Sequence, residues 1–335
     1  MKNICIKGVG MYVPGESISN DELKTLANIN FDSDKLENKL GIKNRYIAKL
    51  RNIDESTADF AEKSIRAAID DAGLTPNNID LFIVATDTPE YISPGTSVLV
   101  QGRIQRKETR AMAFDINASC AGFVTAFDTG ARILLSNPSM ENAVITGVYN
   151  MPAFLREDDI FGLTIFADGA GSIVLQKNTE TKSEYIAGDF ITDGTQWDYI
   201  GIYSGGAKKQ ITKGILEKKE YGLQSLKPLP GDRNTKLWPD LVNSLLSKGN
   251  IGKENLDHIL FTQINKSVIN DVMRILELPL EKTSTIMDRY GYTGSACIPM
   301  AFYHAVKEKR IKYGDTVMFV ASGAGLSVGS NLFRY

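Results

Sequence analysis

Two stretches of this sequence, about 175 residues apart, follow the same order of residue types. Residues 78–84 (NIDLFIV) and 255–261 (NLDHILF) each carry an asparagine, an aspartate and an apolar run. Further along, residues 114–118 and 287–291 each lead from a predicted strand into small residues that begin a helix. Solenoid repeats have periods of about 20–50 residues, so a repeat of half the chain indicates a duplicated domain.

Short β-branched apolar runs alternate with helix-period stretches, which is typical of a layered α/β protein. We predict an N-terminal half at 1–180, which carries the candidate nucleophile, and a C-terminal half at 181–335. Near their junction, residues 183–238 are rich in Gly and Lys and break the pattern, which predicts irregular loops. The first half is predicted to contain strands at 81–86 and 111–116 and helices at 56–73, 96–106 and 121–135.

Composition excludes several classes of protein. With 43% hydrophobic and 23% charged residues, the chain is not disordered. A net charge of −2 gives no basic excess, so we expect no nucleic acid partner. No apolar stretch reaches the ~18 residues of a membrane span, and the start MKNICIKGVG does not resemble a signal peptide. The three cysteines suit a reducing compartment, so we predict a cytoplasmic protein.

The strongest local candidate for chemistry is Cys120, within residues 115–123 (DINASCAGF). A predicted strand meets a predicted helix there, among side chains small enough to admit a ligand. Unpaired N–H groups at a helix N-terminus favour an anion, so this position predicts a thiol pKa below its ordinary ~8.5 and a nucleophile that needs no dedicated base. The alternative is a buried structural cysteine, the role that we assign to Cys5 and Cys297.

A second glycine-rich segment, residues 322–329 (SGAGLSVG), contains the Gly-x-Ser-x-Gly pattern of α/β-hydrolases. Too few residues follow it to supply the Asp and His that this fold places after the serine. We predict instead a tight turn between strands at 316–320 and 328–333, whose N–H groups can approach a reacting atom. Asp168 begins another predicted turn, a structural one. No residues stand at metal-ligand spacing, so no metal site is expected.

Four motifs together resemble the β-ketoacyl-acyl-carrier-protein synthase III family. They are DINASCAG at 115–122, FADGAG at 166–171, DRYGYT at 288–293 and GAG at 323–325. The likeness extends from GVGMYVP at 8–14 to NLFRY at 331–335, which is nearly the whole chain. It implies the thiolase-like α/β fold, in which duplicated domains form a layered αβαβα architecture, and by analogy a homodimer.

In that family a cysteine takes an acyl group from a thioester and passes it to the carbanion left when a malonyl thioester loses CO2. The resemblance places this cysteine at Cys120 and the N–H groups that bind the oxyanion at Cys120 and Ala324. It implies thioester substrates, acyl-acyl carrier protein or acyl-CoA, and no cofactor. Substrate contacts are implied for Gln263, Asn265, Lys266, Gly323 and Gly325.

Two catalytic positions depart from the family pattern. The family's His-Gln-Ala-Asn motif reads TQIN at 262–265, and Tyr292 replaces the family's asparagine. The chain's two histidines, His258 and His304, fit neither position. We expect Thr262 and Tyr292 to donate hydrogen bonds instead, but neither hydroxyl titrates near pH 7 to act as a general base. Acyl loading is therefore expected, and decarboxylation is the step in question.

The donor side of the site also departs from the family. Lys35, Lys39 and Ile160 stand where the family's coenzyme A tunnel has a tryptophan and arginines, which favours a carrier-protein thioester over coenzyme A. The lysines that could meet an acidic carrier protein, or else form a solvated loop, are Lys208, Lys209, Lys213, Lys218, Lys219 and Lys266.

Two further functions stay open at this point. One is acyl transfer without decarboxylation to an amine or hydroxyl acceptor, in a secondary or polysaccharide pathway. The other is a catalytically silent partner subunit of a heterodimeric synthase. The retained Cys120 argues against the second, because a silent subunit has no use for a thiol at that position.

Overall fold

The structure is a computed structural model that describes residues 3–178 and 182–335. Its strands are β1 Asn3–Tyr12, β2 Ile18–Ser19, β3 Asn44–Arg45, β4 Leu81–Ala85, β5 Met112–Ile116, β6 Asn142–Tyr149, β7 Gly169–Asn178, β8 Glu184–Gln196, β9 Ile200–Ile202, β10 Leu223–Ser225, β11 His258–Phe261, β12 Thr316–Gly323 and β13 Gly325–Arg334. Its α-helices are α1 Asn20–Leu26, α2 Ser33–Leu40, α3 Thr57–Asp71, α4 Thr96–Gln105, α5 Gly122–Ser136, α6 Ile160–Ile165, α7 Lys213–Glu217, α8 Arg233–Gly249, α9 Lys266–Ile275, α10 Met287–Tyr290 and α11 Cys297–Lys307.

A mixed sheet in the order β1-β7-β6-β4-β5 is built from the N-terminal part of the chain. β4 pairs in parallel with β5 and β6, and β7 is antiparallel to β6 and β1. The all-apolar sequence of β4 is buried on both faces because successive side chains point to opposite sides. Leu81 and Ile83 enter the central core, and Phe82 and Val84 enter an outer one.

A second sheet, in the order β11-β12-β13-β8, is built from residues of the predicted C-terminal half. β11 is parallel to β12, and the other neighbours are antiparallel. The predicted boundary between residues 180 and 181 lies outside the described residues, so the domain division stays a prediction.

Helices separate and cover the two sheets. α5 and α11 lie between them and contact strands of both, whereas α3 and α4 cover the outer face of the first sheet. α8 packs on the far side of the second sheet and contacts α9. The order of layers is therefore αβαβα, as predicted.

Two expectations about local structure are wrong. Residues 287–290 form the short helix α10 and not a second copy of β5. Besides its pairing with β12, β11 makes an isolated bridge between Ile259 and Thr283. The segment 183–238 is more regular than predicted, because β8 pairs along most of β13. Only the stretch after β8 and before α8 has the short, irregular elements that its Gly and Lys content indicated.

Candidate active site

Cys120 lies in the short connection between β5 and α5, two positions before the first residue of the helix. The carboxylate of Asp115 in β5 accepts the backbone N–H groups of Thr96 and Ser97 at 2.7 Å each, which fixes this connection against the start of α4. The N–H of Gly122 donates to the carbonyl of Ser119 at 2.8 Å. The predicted strand-to-helix junction thus exists and holds the cysteine at a helix N-terminus.

The turn between β12 and β13 packs directly on this connection. A Cβ added to Gly323 would clash with the carbonyl oxygen of Ala118 and lie 3.0 Å from the amide nitrogen of Cys120, so only glycine allows this approach. Within residues 3–178 and 182–335, the N–H of Cys120 donates no hydrogen bond to another residue. It is therefore free to bind an oxyanion, in a cavity that Ala324 also lines.

The cavity at Cys120 has a volume of about 350 Å³. Tyr149, Phe166, Thr262 and Tyr292 line it together with the cysteine. Its remaining wall is mostly apolar and comes from the segment after β8 and from the region around the start of α9, with Ile200, Ile202, Leu223, Leu229, Pro230, Ile264 and Val268. Such a lining suits a linear, largely apolar ligand that ends at the thiol.

Tyr292 and Cys120 line the cavity together, and the hydroxyl of Tyr292 acts through a hydrogen bond to lower the pKa of the thiol. Its backbone is fixed by hydrogen bonds with Ile165 (2.9 Å) and Ala167 (3.0 Å), and its ring packs against that of Phe166. Burial holds the pKa of Tyr292 well above its usual value, so the hydroxyl stays a neutral donor. The larger side chain at this position therefore delivers a donor to the sulfur and does not merely fill space.

Thr262 follows β11 and is buried. Its hydroxyl oxygen accepts the N–H of Ser322 at 3.4 Å, which leaves the hydroxyl hydrogen available to a ligand in the cavity. Both replacements for the family's catalytic side chains are thus hydroxyl donors that line the same cavity.

The prediction of a lowered thiol pKa at Cys120 is wrong. Desolvation is the larger cause and the charge of Asp87 the second, and together they raise this pKa to about 12. Hydrogen bonds from Tyr292 and Ser119 act in the opposite direction but do not outweigh burial. At pH 7 the resting enzyme therefore holds a thiol and not a thiolate.

Asp87 and Ser119 are site residues that the sequence analysis missed. Asp87 follows β4, lines the cavity, and accepts the hydroxyl of Ser119 at 2.8 Å. The signal in the sequence was an acidic residue directly after a buried parallel strand, since β4 lies beside β5 and the two carboxyl ends meet at one edge of the sheet.

Four predicted substrate-binding residues lie outside the cavity lining. Gln263 is fully buried. Its amide N–H groups donate to the carbonyls of Phe261 and Ser284, and its amide oxygen accepts the N–H of Ile286. Asn265 caps α9 by accepting the N–H of Ser267 at 3.0 Å. Lys266 is exposed, and Gly325 has a φ of 112° in the turn after Ala324. Of the predicted set, the structure brings Cys120, Thr262, Tyr292, Gly323 and Ala324 together.

The described residues contain no cluster of three or more His, Cys, Asp or Glu side chains that could hold a metal ion. No helix in this part of the chain combines the length and the apolar character that crossing a bilayer requires.

The sequence and the fold both match known proteins. Residues 114–194 match the 3-oxoacyl-[acyl-carrier-protein (ACP)] synthase III family, and residues 246–335 match that family's C-terminal region. The chain is 32% identical over 338 residues to the beta-ketoacyl-[acyl-carrier-protein] synthase III of Clostridium perfringens, with 100% of each chain covered. It is 31% identical over 334 residues to the protein of the same name from Aliarcobacter butzleri, covering 98% of this chain and 97% of that one. The crystal structure of 3-oxoacyl-[acyl-carrier-protein] synthase III from Aquifex aeolicus matches with a TM-score of 0.85 and 28% identity, over 99% of this chain and 100% of that chain.

Proposed function

This chain belongs to the 3-oxoacyl-[acyl-carrier-protein] synthase III family, and from that membership we propose that it condenses an acyl group held on Cys120 with a malonyl-type thioester. It is an acyltransferase with a thiolase-like fold. The observation that carries the proposal is the thiol of Cys120, which contacts the hydroxyl of Tyr292 inside an apolar cavity.

In the first half of the reaction, the sulfur of Cys120 attacks the thioester carbonyl and the carrier thiol leaves. The carbonyl oxygen gains negative charge, which the backbone N–H groups of Cys120 and Ala324, two residues that line the cavity, stabilise in this proposal. The helix dipole of α5 favours the same charge, although it does not ionise the resting thiol.

In the second half, a malonyl thioester loses CO2 and its carbanion attacks the acyl group. Thr262 and Tyr292 donate hydrogen bonds to the enolate oxygen in place of an imidazole and an amide. One such donor contributes about 3 kcal/mol, or 10² to 10³ in rate. Because both positions retain a donor, the decarboxylating step is retained in this proposal.

The acyl and malonyl groups arrive on a carrier protein. The start of α9 forms part of the cavity wall, and the hydroxyl of Ser267 binds the carbonyl of Lys39 at 2.8 Å, which joins α2 to α9. Lys35, Lys39 and Lys266 are exposed on these two helices and supply a basic rim for an acidic partner. Three other lysines are less suitable because they pair within the chain: Lys209 with Glu220, Lys213 with Glu217 and Lys219 with Asp158.

The chain works as a homodimer in the cytoplasm and needs no cofactor. β5 lies at the edge of its sheet, where it is open to pairing with a second copy. None of the three cysteines forms a disulfide in the described part of the chain, which suits a reducing compartment. Thioester exchange and decarboxylation are not redox reactions and need no electron-carrying cofactor. The thioester substrates supply all the groups that the reaction needs.

Intact-protein mass spectrometry after incubation with acyl-carrier protein tests the first half. The expected result is a mass increase equal to one acyl group, absent from Cys120→Ala and present in Cys297→Ala. An unmodified wild-type protein, or an acyl group on another residue, would overturn the proposal.

Release of CO2 from malonyl-carrier protein by the acylated enzyme tests the second half. A burst equal to the amount of acyl-enzyme supports condensation through Thr262 and Tyr292. Full loading without any CO2 would instead assign the chain to acyl transfer onto an amine or hydroxyl acceptor, an alternative that the comparisons do not favour. A silent partner subunit is excluded if the purified homodimer loads and releases CO2.

A further inference from the structure

Asp87 places a carboxylate in the cavity next to the reacting thiol. One of its oxygens, Oδ2, accepts the hydroxyl of Ser119 at 2.8 Å. The other, Oδ1, is buried and has no hydrogen-bond partner among the described residues. An unsatisfied buried carboxylate oxygen costs free energy, so a purpose beyond packing is indicated for this side chain.

Ser119 connects this carboxylate to the sulfur. Its hydroxyl oxygen lies 3.8 Å from Sγ of Cys120 and 2.8 Å from Oδ2 of Asp87. The hydroxyl is placed to donate to either atom, but it has one proton and two lone pairs, so when it donates to the carboxylate a lone pair is left for the thiol proton. Ser119 holds this position with a φ of 50°, a left-handed conformation that is strained for a serine.

The charge of Asp87 opposes ionisation of the thiol. Burial raises the pKa of Asp87, and the charge of Asp87 raises the pKa of Cys120. The other titratable groups that face them are the phenols of Tyr149 and Tyr292 and the thiol of Cys297, all of which are neutral because burial raises their pKa values. A proton that leaves the thiol for Asp87 also removes the charge that opposed its departure.

We propose that Asp87 accepts the proton of Cys120 through the hydroxyl of Ser119 when the thiol attacks its substrate. The inference rests on the proposed function and supplies the base that an imidazole would otherwise provide. The thiol proton passes to Oγ of Ser119 while the Ser119 proton passes to Oδ2 of Asp87. The Cys120 sulfur then forms a bond to the acyl carbon, the carbon–sulfur bond of the incoming thioester breaks, and the departing carrier thiolate recovers the proton from Asp87 by the reverse path.

Alkylation of Cys120 by iodoacetamide tests this relay without any acyl substrate. The rate is followed at this cysteine alone, by the mass of its peptide, from about pH 6 to about pH 9. In Asp87→Asn the amide oxygen can still accept from Ser119, but it cannot take a proton. We expect alkylation at pH 7.5 to slow by about tenfold or more and to rise in proportion to hydroxide.

If Asp87 only repelled negative charge on the sulfur, Asp87→Asn would be alkylated faster than wild type and not more slowly. Its removal would lower the thiol pKa, so an Asp87→Asn protein that is alkylated as fast as wild type, or faster, overturns the proposal. Ser119→Ala keeps the carboxylate charge and breaks the path, so a Ser119→Ala protein that is alkylated as fast as wild type also overturns the proposal, even should Asp87→Asn fail to fold. Asp54→Asn, on an exposed side chain, controls for the loss of one charge.

The proposed function and the relay can fail separately. Slow alkylation of both relay variants with no acyl loading of the wild type overturns the function and supports the relay. Normal loading of the wild type together with unchanged alkylation of both variants overturns the relay alone.

Discussion

Three of the hydroxyl donors that line the cavity at Cys120 take part in the proposed chemistry. Tyr292 contacts the sulfur, Ser119 lies 3.8 Å from it, and Thr262 lines the same cavity. A buried site pays little to hold neutral donors, whereas a buried imidazolium would need a compensating charge. The cost is that none of the three hydroxyls can remove a proton at pH 7, which leaves that task to a carboxylate.

Removing one hydroxyl at a time separates the two half-reactions. In Tyr292→Phe the ring still packs on Phe166, but the hydrogen bond that lowers the pKa of Cys120 is lost. We expect this variant to slow both acyl loading and CO2 release, the latter by about 10²-fold. Thr262→Val is expected to slow CO2 release by a similar factor and to leave loading within about threefold of wild type, because no contact joins Thr262 to the sulfur.

Single-turnover loading by mass spectrometry and CO2 release from malonyl-carrier protein are the measurements. Circular dichroism and thermal unfolding of both variants control for folding. Wild-type rates of both steps in Tyr292→Phe would contradict the assigned role of its hydroxyl.

Part of the site was readable from the sequence, but Asp87 and Ser119 were missed and the ionisation of Cys120 was not readable. Cys120 was found because small residues follow an apolar strand, and Tyr292 because it occupies a known motif position. The thiol pKa of Cys120 is raised and not lowered as predicted, because the groups that bury the sulfur determine the shift. Those covering groups include Tyr149 and Tyr292, which stand far from Cys120 along the chain and are brought there by the fold.

At the scale of elements, the two repeats share their strands but differ where the active site is built. β4 and β11 both follow a short 3-10 turn, and this likeness was visible as a repeated apolar run. The parallel between Met287-Asp288 and Phe114-Asp115 predicted the end of a strand at residues 287–290, yet these residues form α10 because Gln263 binds the N–H of Ile286 and turns the chain. A buried glutamine's partners depend on tertiary structure, so a pattern of residue types could not reveal them.

The buried carboxyl of Asp168, the residue before β7, makes the free energy of unfolding depend on pH. Its carboxylate accepts the N–H of Ala48 at 2.7 Å, and desolvation raises its pKa to about 8. Between about pH 4 and pH 8 the folded chain therefore keeps a proton that the unfolded chain releases, so this group's contribution to stability falls as pH rises. We expect Asp168→Asn to gain stability relative to wild type by about 1 kcal/mol for each pH unit in that window.

Urea unfolding of wild type and variant at several pH values measures this difference. Desolvation lowers the pKa of His258 to about 4, so its contribution to the free energy of unfolding is lost as pH falls from about 6.5. The slope of this contribution against pH is therefore opposite to that of Asp168. That slope is common to both proteins and cancels in the difference. Asp21→Asn, on an exposed side chain, is the control for the charge change. A difference that does not vary with pH would show that Asp168 ionises normally in the folded chain.

At the scale of the whole molecule, the layered core explains why the site needs both halves. β5 delivers Cys120, β12 delivers Gly323, and α5 packs between the two sheets that carry them. The order of layers followed from the family resemblance and from the repeated apolar runs. The close approach of Gly323 to the cysteine did not follow, since it depends on how far the sheets stand apart.

The outer edge of β5 predicts that two copies of the chain form a dimer. Among the described strands β5 pairs only with β4, its residue Met112 is 45% exposed, and Val98 on α4, the helix that packs on β5, is 48% exposed. An apolar edge strand invites pairing, so we expect light scattering to give twice the chain mass of 36.8 kDa. Met112→Arg is expected to raise the dimer dissociation constant by at least about tenfold, because a charge would be buried without a partner. Leu280→Arg, which changes an equally exposed leucine in the other half, should leave the dimer intact.

Since β5 continues into the connection that holds Cys120, the dissociated variant should also load acyl groups more slowly. A wild-type monomer at micromolar concentration would contradict the proposed assembly.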